Sequence, residues 1–174
     1  MTDSLDLALL LLRVMLAFVF AAHATQKLFG WFSGAGLAGS GVLLEKLGQR
    51  PGKPMAVIAA TAESAAAVSV GIGLVTQLGA AIGAGTMLVA GGALSLRSKA
   101  FWNSAGGGEY PFVLAIVLIV VGFSGPGRFS LDATLGAPWH NSARWGAAIG
   151  GIVLAAAVVA ALPPLLWSAR GDNE

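Results

Sequence analysis

From Trp145 to Trp167 the chain carries no charged side chain, and apolar runs of comparable length extend from about Leu5 to Phe29, from Pro54 to Val75 and from Leu78 to Leu96. A helix needs about 20 mostly apolar residues to cross roughly 30 Å of hydrocarbon. With 10% of its residues charged, against about 25% in soluble domains, the chain cannot build a water-facing surface. The expected fold class is all-α: an integral membrane helical bundle of four or five spans. The many alanines and the 25 glycines suit helices that approach closely, since small residues at the contact replace the hydrophobic drive that lipid does not supply.

The connections divide the chain. Thr76-Gln77 is the only polar break between the second and third spans, which predicts a tight helical hairpin. Arg97, Ser98 and Lys99 end the third span, and an aromatic, glycine-rich loop leads to Tyr110-Pro111. The fourth apolar segment reaches only Phe123 before Gly125-Pro126-Gly127-Arg128 stops it. Residues 33–53 are too long for a turn and contain Val42-Leu43-Leu44-Glu45-Lys46-Leu47, an amphipathic stretch expected to lie in the membrane interface. Trp145 and Trp167 frame the fifth segment as an aromatic belt, and Ser168–Glu174 is a polar tail.

Cations outside the membrane set the orientation. With five spans, Lys46, Arg50, Lys53, Arg97, Lys99 and Arg170 collect on one side, against Arg128 and Arg144 on the other. The expectation is a protein of the cytoplasmic membrane with the N-terminus outside and the C-terminus in the cytoplasm. Ala22-His23-Ala24 has the form of a signal-peptidase site, but Asp3 and Asp6 precede it and no lysine or arginine precedes Arg13, so cleavage is not expected. The net charge of +2 is too small and scattered for a nucleic-acid partner, and without cysteine any thiol chemistry belongs to a partner.

Charged groups inside a span are costly and point to a functional site. Four stand out: Arg13, His23 and Lys27 in the first span and Glu63 in the second. At about 100° per residue, the first three fall within about 80° around one helix, a polar stripe expected to face one neighbour. Counted from the shared end of two antiparallel helices, His23 and Glu63 are close in depth, while Arg13 is about 15 Å from His23. Two readings stay open. In one, Arg13 and Lys27 snorkel to opposite surfaces and Glu63 with His23 forms a pair that orders the bundle. In the other, the four make a buried polar site that relays protons or hydrogen-bonds a quinone-like headgroup.

Other motifs carry less. Gly34-Ala35-Gly36-Leu37-Ala38-Gly39 has the dinucleotide-binding GxGxxG spacing but follows a membrane helix rather than a strand, so an interfacial turn is expected. The string Gly-Ala-Ala-Ile-Gly occurs at 79–83 and at 146–150 and predicts close helix contacts. Glu109 just before Tyr110-Pro111 suits a helix start. His140 has no companions at ligand spacing, so no metal site is expected.

The block from Arg13 to Gly30-Trp31-Phe32, with His23 and Lys27, resembles the opening signature of the DoxX family. Gly34–Gly39, Glu63, Phe101-Trp102-Asn103, Gly106-Gly107-Gly108-Glu109-Tyr110-Pro111 and Gly125-Pro126-Gly127-Arg128-Phe129-Ser130-Leu131-Asp132 follow in order. The resemblance implies a four-helix membrane bundle over residues 1–135. Residues 136–174 then add a linker, a further transmembrane helix at about 145–167 and a short polar tail. It brings Trp31, Asn103, Glu109 and Arg128 in as loop candidates. Some members of this family are associated with thiosulfate:quinone oxidoreduction, and others with complexes that handle oxidative stress. The expected function is therefore a membrane subunit of a redox-linked complex that supports a partner oxidoreductase, with a quinone, and no covalently held cofactor, beside Arg13, His23, Lys27 and Glu63. A non-enzymatic scaffold or assembly factor and a small proton-coupled transporter are the alternatives; the expected partners are the lipid bilayer and other protein subunits, with a homo-oligomer a further option.

Overall fold

The structure, a computed structural model, describes residues 3–140 and 142–171. The side chains of His140, Arg144, Trp145 and Arg170 and the tail residues 172–174 lie outside the described residues. The chain is a bundle of helices, α1 (Asp3–Phe29), α2 (Gly36–Lys46), α3 (Gly52–Ile72), α4 (Thr76–Ser98), α5 (Glu109–Ser124), α6 (Leu131–Thr134) and α7 (Ser142–Gly171). Among the described residues, α1, α3, α4 and the Gly146–Ala169 part of α7 are long and apolar enough to cross a membrane, and α5 is a shorter apolar helix. Their outward faces carry large apolar side chains such as Leu11, Phe18, Ile116 and Val159, more than half exposed, a surface suited to lipid and not to water.

α4 is the central element. It packs on α3, α5 and α7, while α1 packs on α3 and α5 on α7. Leu16 and Phe20 of α1, Ala66 and Val70 of α3, Ala80, Ala84 and Met87 of α4, Leu118 and Val121 of α5 and Val153 and Ala157 of α7 form one continuous core. Both Gly-Ala-Ala-Ile-Gly strings serve it. A Cβ on Gly83 would lie 2.8 Å from Leu118 Cδ1 and 3.2 Å from Ala66 Cβ and from the Phe20 ring, so three helices converge on that one missing methyl group. A Cβ on Gly150 would run into the ring of Phe123.

The bundle has two unlike ends. The turn end holds the start of α1, the α3–α4 hairpin and the segment from Gly125 to Asp132; the loop end holds α2, residues 99–108 and the end of α7. At the hairpin, Gly73 adopts φ +70° and its N–H donates to the Ser69 carbonyl at 3.0 Å, which stops α3. The start of α4 is then capped from outside its own sequence. The Asp132 carboxylate accepts from Val75 N–H at 2.8 Å, Thr76 N–H at 3.0 Å and the Thr76 hydroxyl at 2.8 Å.

α5 has 16 residues, about 24 Å of helix at about 1.5 Å per residue, and is shorter than the roughly 30 Å hydrocarbon layer. It nevertheless joins the two ends. Glu109 N–H donates to the Phe101 carbonyl at the loop end, and the residues following Ser124 are held by α1 at the turn end. Between α1 and α3, Gly36–Lys46 form α2, which begins earlier than the expected amphipathic stretch and packs on both neighbours. Ser168 is not part of a polar tail. It is buried within α7, where it donates to the Leu47 carbonyl at 2.7 Å and accepts from Gln49 Nε2 at 2.6 Å.

Candidate functional site

The intramembrane charges fall into two groups, one at each end, instead of one stripe. Arg13 belongs to the turn end, is 1% exposed, and does not snorkel. Its two terminal nitrogens donate to the Pro126 and Phe129 carbonyls, each at 2.7 Å, while Nε is buried without an acceptor. Asp132 is buried at the same end, and Asp6, also buried, accepts from Arg128 N–H at 2.9 Å. These bonds satisfy irregular backbone that follows the short α5. Such backbone is tolerated at membrane depth only where protein groups replace the missing water.

Lys27 and Glu63 form the second group. Lys27 Nζ lies 2.7 Å and 2.8 Å from the two carboxylate oxygens of Glu63, whose side chain is 2% exposed. The expected His23–Glu63 pair does not form. Helical side chains lean toward the N-terminus of their own helix, and α1 and α3 run antiparallel. The long Lys27 side chain therefore climbs inward while Glu63 leans toward the loop end, and the two meet. His23, one turn away, turns instead to α5, its ring 6.1 Å from that of Tyr110. An arc of about 80° on a helix about 10 Å across is wide enough to touch two neighbours, so the stripe divides between α3 and α5.

The loop candidates are also separate. Trp31 is exposed and tilted against Phe29, with ring centroids 5.5 Å apart. Glu109 accepts from the Asn103 N–H at 3.1 Å, closing the loop ahead of α5. Arg128, at the opposite end, pairs with Asp3 and lies over the Phe129 ring. The expected turn is confined to Gly34-Ala35: Gly34 packs on the backbone of Gln26, and Gly36–Gly39 open α2, with no strand among the described residues.

A cavity of about 330 Å³ adjoins the Lys27–Glu63 pair. It lies over α4, between α3 and α7: Met55, Ile58 and Ala59 form one wall, Ala160 and Pro164 the other, and Ile82, Thr86 and Val89 the floor, with Leu44 and Gln49 at the loop end. The lining is apolar except for the ion pair, Gln49 and Thr86, and the Thr86 hydroxyl is taken up by the Ile82 carbonyl at 2.9 Å. Gln49 ties this end shut by donating to the Pro164 carbonyl at 2.8 Å as well as to Ser168. Sequence reasoning did not single out Gln49 and Ser168. Pro163 and Pro164 inside α7 gave no signal for this contact, since they release the carbonyls four residues earlier, at Val159 and Ala160, and not the Pro164 carbonyl that Gln49 uses.

The DoxX family model matches residues 8–95, from the first turns of α1 to near the end of α4, and so takes in Arg13, His23, Lys27 and Glu63. The chain belongs to the DoxX family. No curated protein and no solved structure matches it. In this DoxX protein, α7 lies beyond the matched residues and provides a wall of the cavity.

Proposed function

We propose that this DoxX protein is the membrane subunit of a redox-linked complex, and that the cavity between α3 and α7 seats a quinone-type amphiphile with its headgroup at Lys27 and Glu63. The observation that carries this reading is the buried Glu63 carboxylate, ion-paired with a part-buried Lys27, on the wall of a largely apolar cavity within the bundle. Small-molecule sites have this character, with apolar walls and a few polar groups that fix orientation, and volumes of roughly 300–1,000 Å³. A quinone carbonyl is an acceptor that the Lys27 ammonium can serve, and Glu63 is a carboxylate in place to exchange a proton with the reduced ring. Electrons come from a partner oxidoreductase bound to the membrane subunit. Nothing in the Arg13 group faces this cavity, so Arg13 supports the fold and is not part of the binding site.

The experiment is purification of the intact protein from native membranes in mild detergent, followed by quantification of extracted quinone and identification of associated subunits. Quinone in stoichiometric proportion together with an oxidoreductase supports the proposal. An associated complex with no quinone above that of an unrelated membrane protein favours the scaffold. Proton-linked flux in liposomes of the protein alone favours the transporter.

A further inference from the structure

The corner between α2 and α3 carries a second cavity, unconnected with the redox proposal, lined by Val42, Glu45, Lys46, Arg50 and Pro51. Its place in the membrane follows from the tryptophans. Trp31, Trp102 and Trp167 come from three separate elements of the loop end and are 59%, 62% and 51% exposed. Exposed tryptophans gathered at one end mark a membrane–water interface, and α2 lies at that level. Val42 and Leu43 project from it more than half exposed, into the apolar side of the interface, whereas Lys46 and Arg50 are exposed at the cavity. Val42 and Lys46 are one turn apart on α2, and Arg50, beyond the end of that helix, lines the same cavity, so an apolar contact passes directly into two cations.

The corner is also held rigid. Gly41 of α2 and Gly52 of α3 meet backbone to backbone, and a Cβ on Gly52 would run into the Gly41 carbonyl. Glu45 Oε1 accepts from Gly52 N–H at 3.1 Å, which turns part of its charge toward the start of α3 and away from the two cations.

From this arrangement we propose that the α2–α3 corner binds the phosphate of an anionic phospholipid, with an acyl chain against Val42 and Leu43. A phosphate complements Lys46 and Arg50 in charge and geometry, the guanidinium fork matching two of its oxygens. The apolar residues beside the cations favour a lipid over a soluble anion.

The test is native mass spectrometry of the full chain released from mixed micelles of phosphatidylglycerol and phosphatidylcholine. Each cation near a membrane surface favours an anionic lipid by roughly a factor of five, and with Glu45 offsetting part of this the expected preference is about tenfold. It should vanish in K46Q/R50Q, persist in K46R/R50K and be unchanged in K99Q, whose charge lies at the same end outside the cavity. An undiminished preference in K46Q/R50Q would overturn the proposal, and so would an equal loss in K99Q, which would mean diffuse attraction. Glycerol phosphate displacing phosphatidylglycerol as well as the intact lipid does would overturn the assignment to a membrane lipid.

Discussion

Arg13 presents five donors on a rigid plane, and two terminal nitrogens bridge carbonyls three residues apart in the segment after α5. A lysine has the charge but only a point-like ammonium, so it cannot reproduce the bridge. Arg13→Met leaves the Pro126 and Phe129 carbonyls without these donors, at about 1–3 kcal/mol for each buried group. Thermal unfolding in detergent should therefore show Arg13→Met strongly destabilised and Arg13→Lys only partly better. The Lys27–Glu63 pair has a different signature. Lys27→Met strands the buried Glu63 carboxylate, at a cost of about 3–5 kcal/mol; Glu63→Leu strands a lysine that is 23% exposed and should cost less, and the double variant, which removes both charges, should be less destabilised than the sum of the two. Glu63→Gln should keep the fold better than Glu63→Leu. A double-mutant cycle with no coupling would contradict the pairing.

At the scale of elements, the short α5 is the feature that organises the turn end. Its missing length is taken up by residues 125–132, which turn back into the bundle and are held by Arg13, by Asp6 and by the Asp132 cap on α4. Asp132→Ala removes three acceptor contacts from the start of α4, and its cost should be at least that of a lost N-cap, about 1–2 kcal/mol. Gly83→Leu should lower thermal stability further, because α1, α3 and α5 all pack on that position. The helices and the hairpin were legible from the lengths of the apolar runs and the break at Thr76-Gln77. The small-residue contacts were legible from the repeated Gly-Ala-Ala-Ile-Gly. The partners of the charges were not. Depth along α1 placed His23 nearer Glu63, but side-chain length and lean chose Lys27. Asp132 caps a helix more than 50 residues away in sequence, and no local pattern announces such a contact. Gln49 and Ser168 meet only because α7 returns to the loop end.

For the whole molecule, five helices joining two ends put α2 and the end of α7 together, opposite the start of α1. From the excess of cations at the loop end and the positive-inside rule, we propose that this end faces the cytoplasm. Ala38, exposed on α2 at the loop end, is a suitable reporter for cysteine labelling. In intact cells an impermeant reagent should label Asp3→Cys and spare Ala38→Cys; the reverse pattern would invert the orientation. The central proposal concerns the cavity between α3 and α7, and quinone bound per molecule of the purified protein tests it most directly. The wild type should be compared with Glu63→Gln, which removes the charge, and Ala59→Phe, which fills the cavity and leaves the ion pair in place. The expected result is stoichiometric quinone in the wild type and a loss of about tenfold or more in both variants, the scale of one lost hydrogen bond to a charged group, with thermal stability largely kept. Quinone retained at the wild-type level in both folded variants would contradict it.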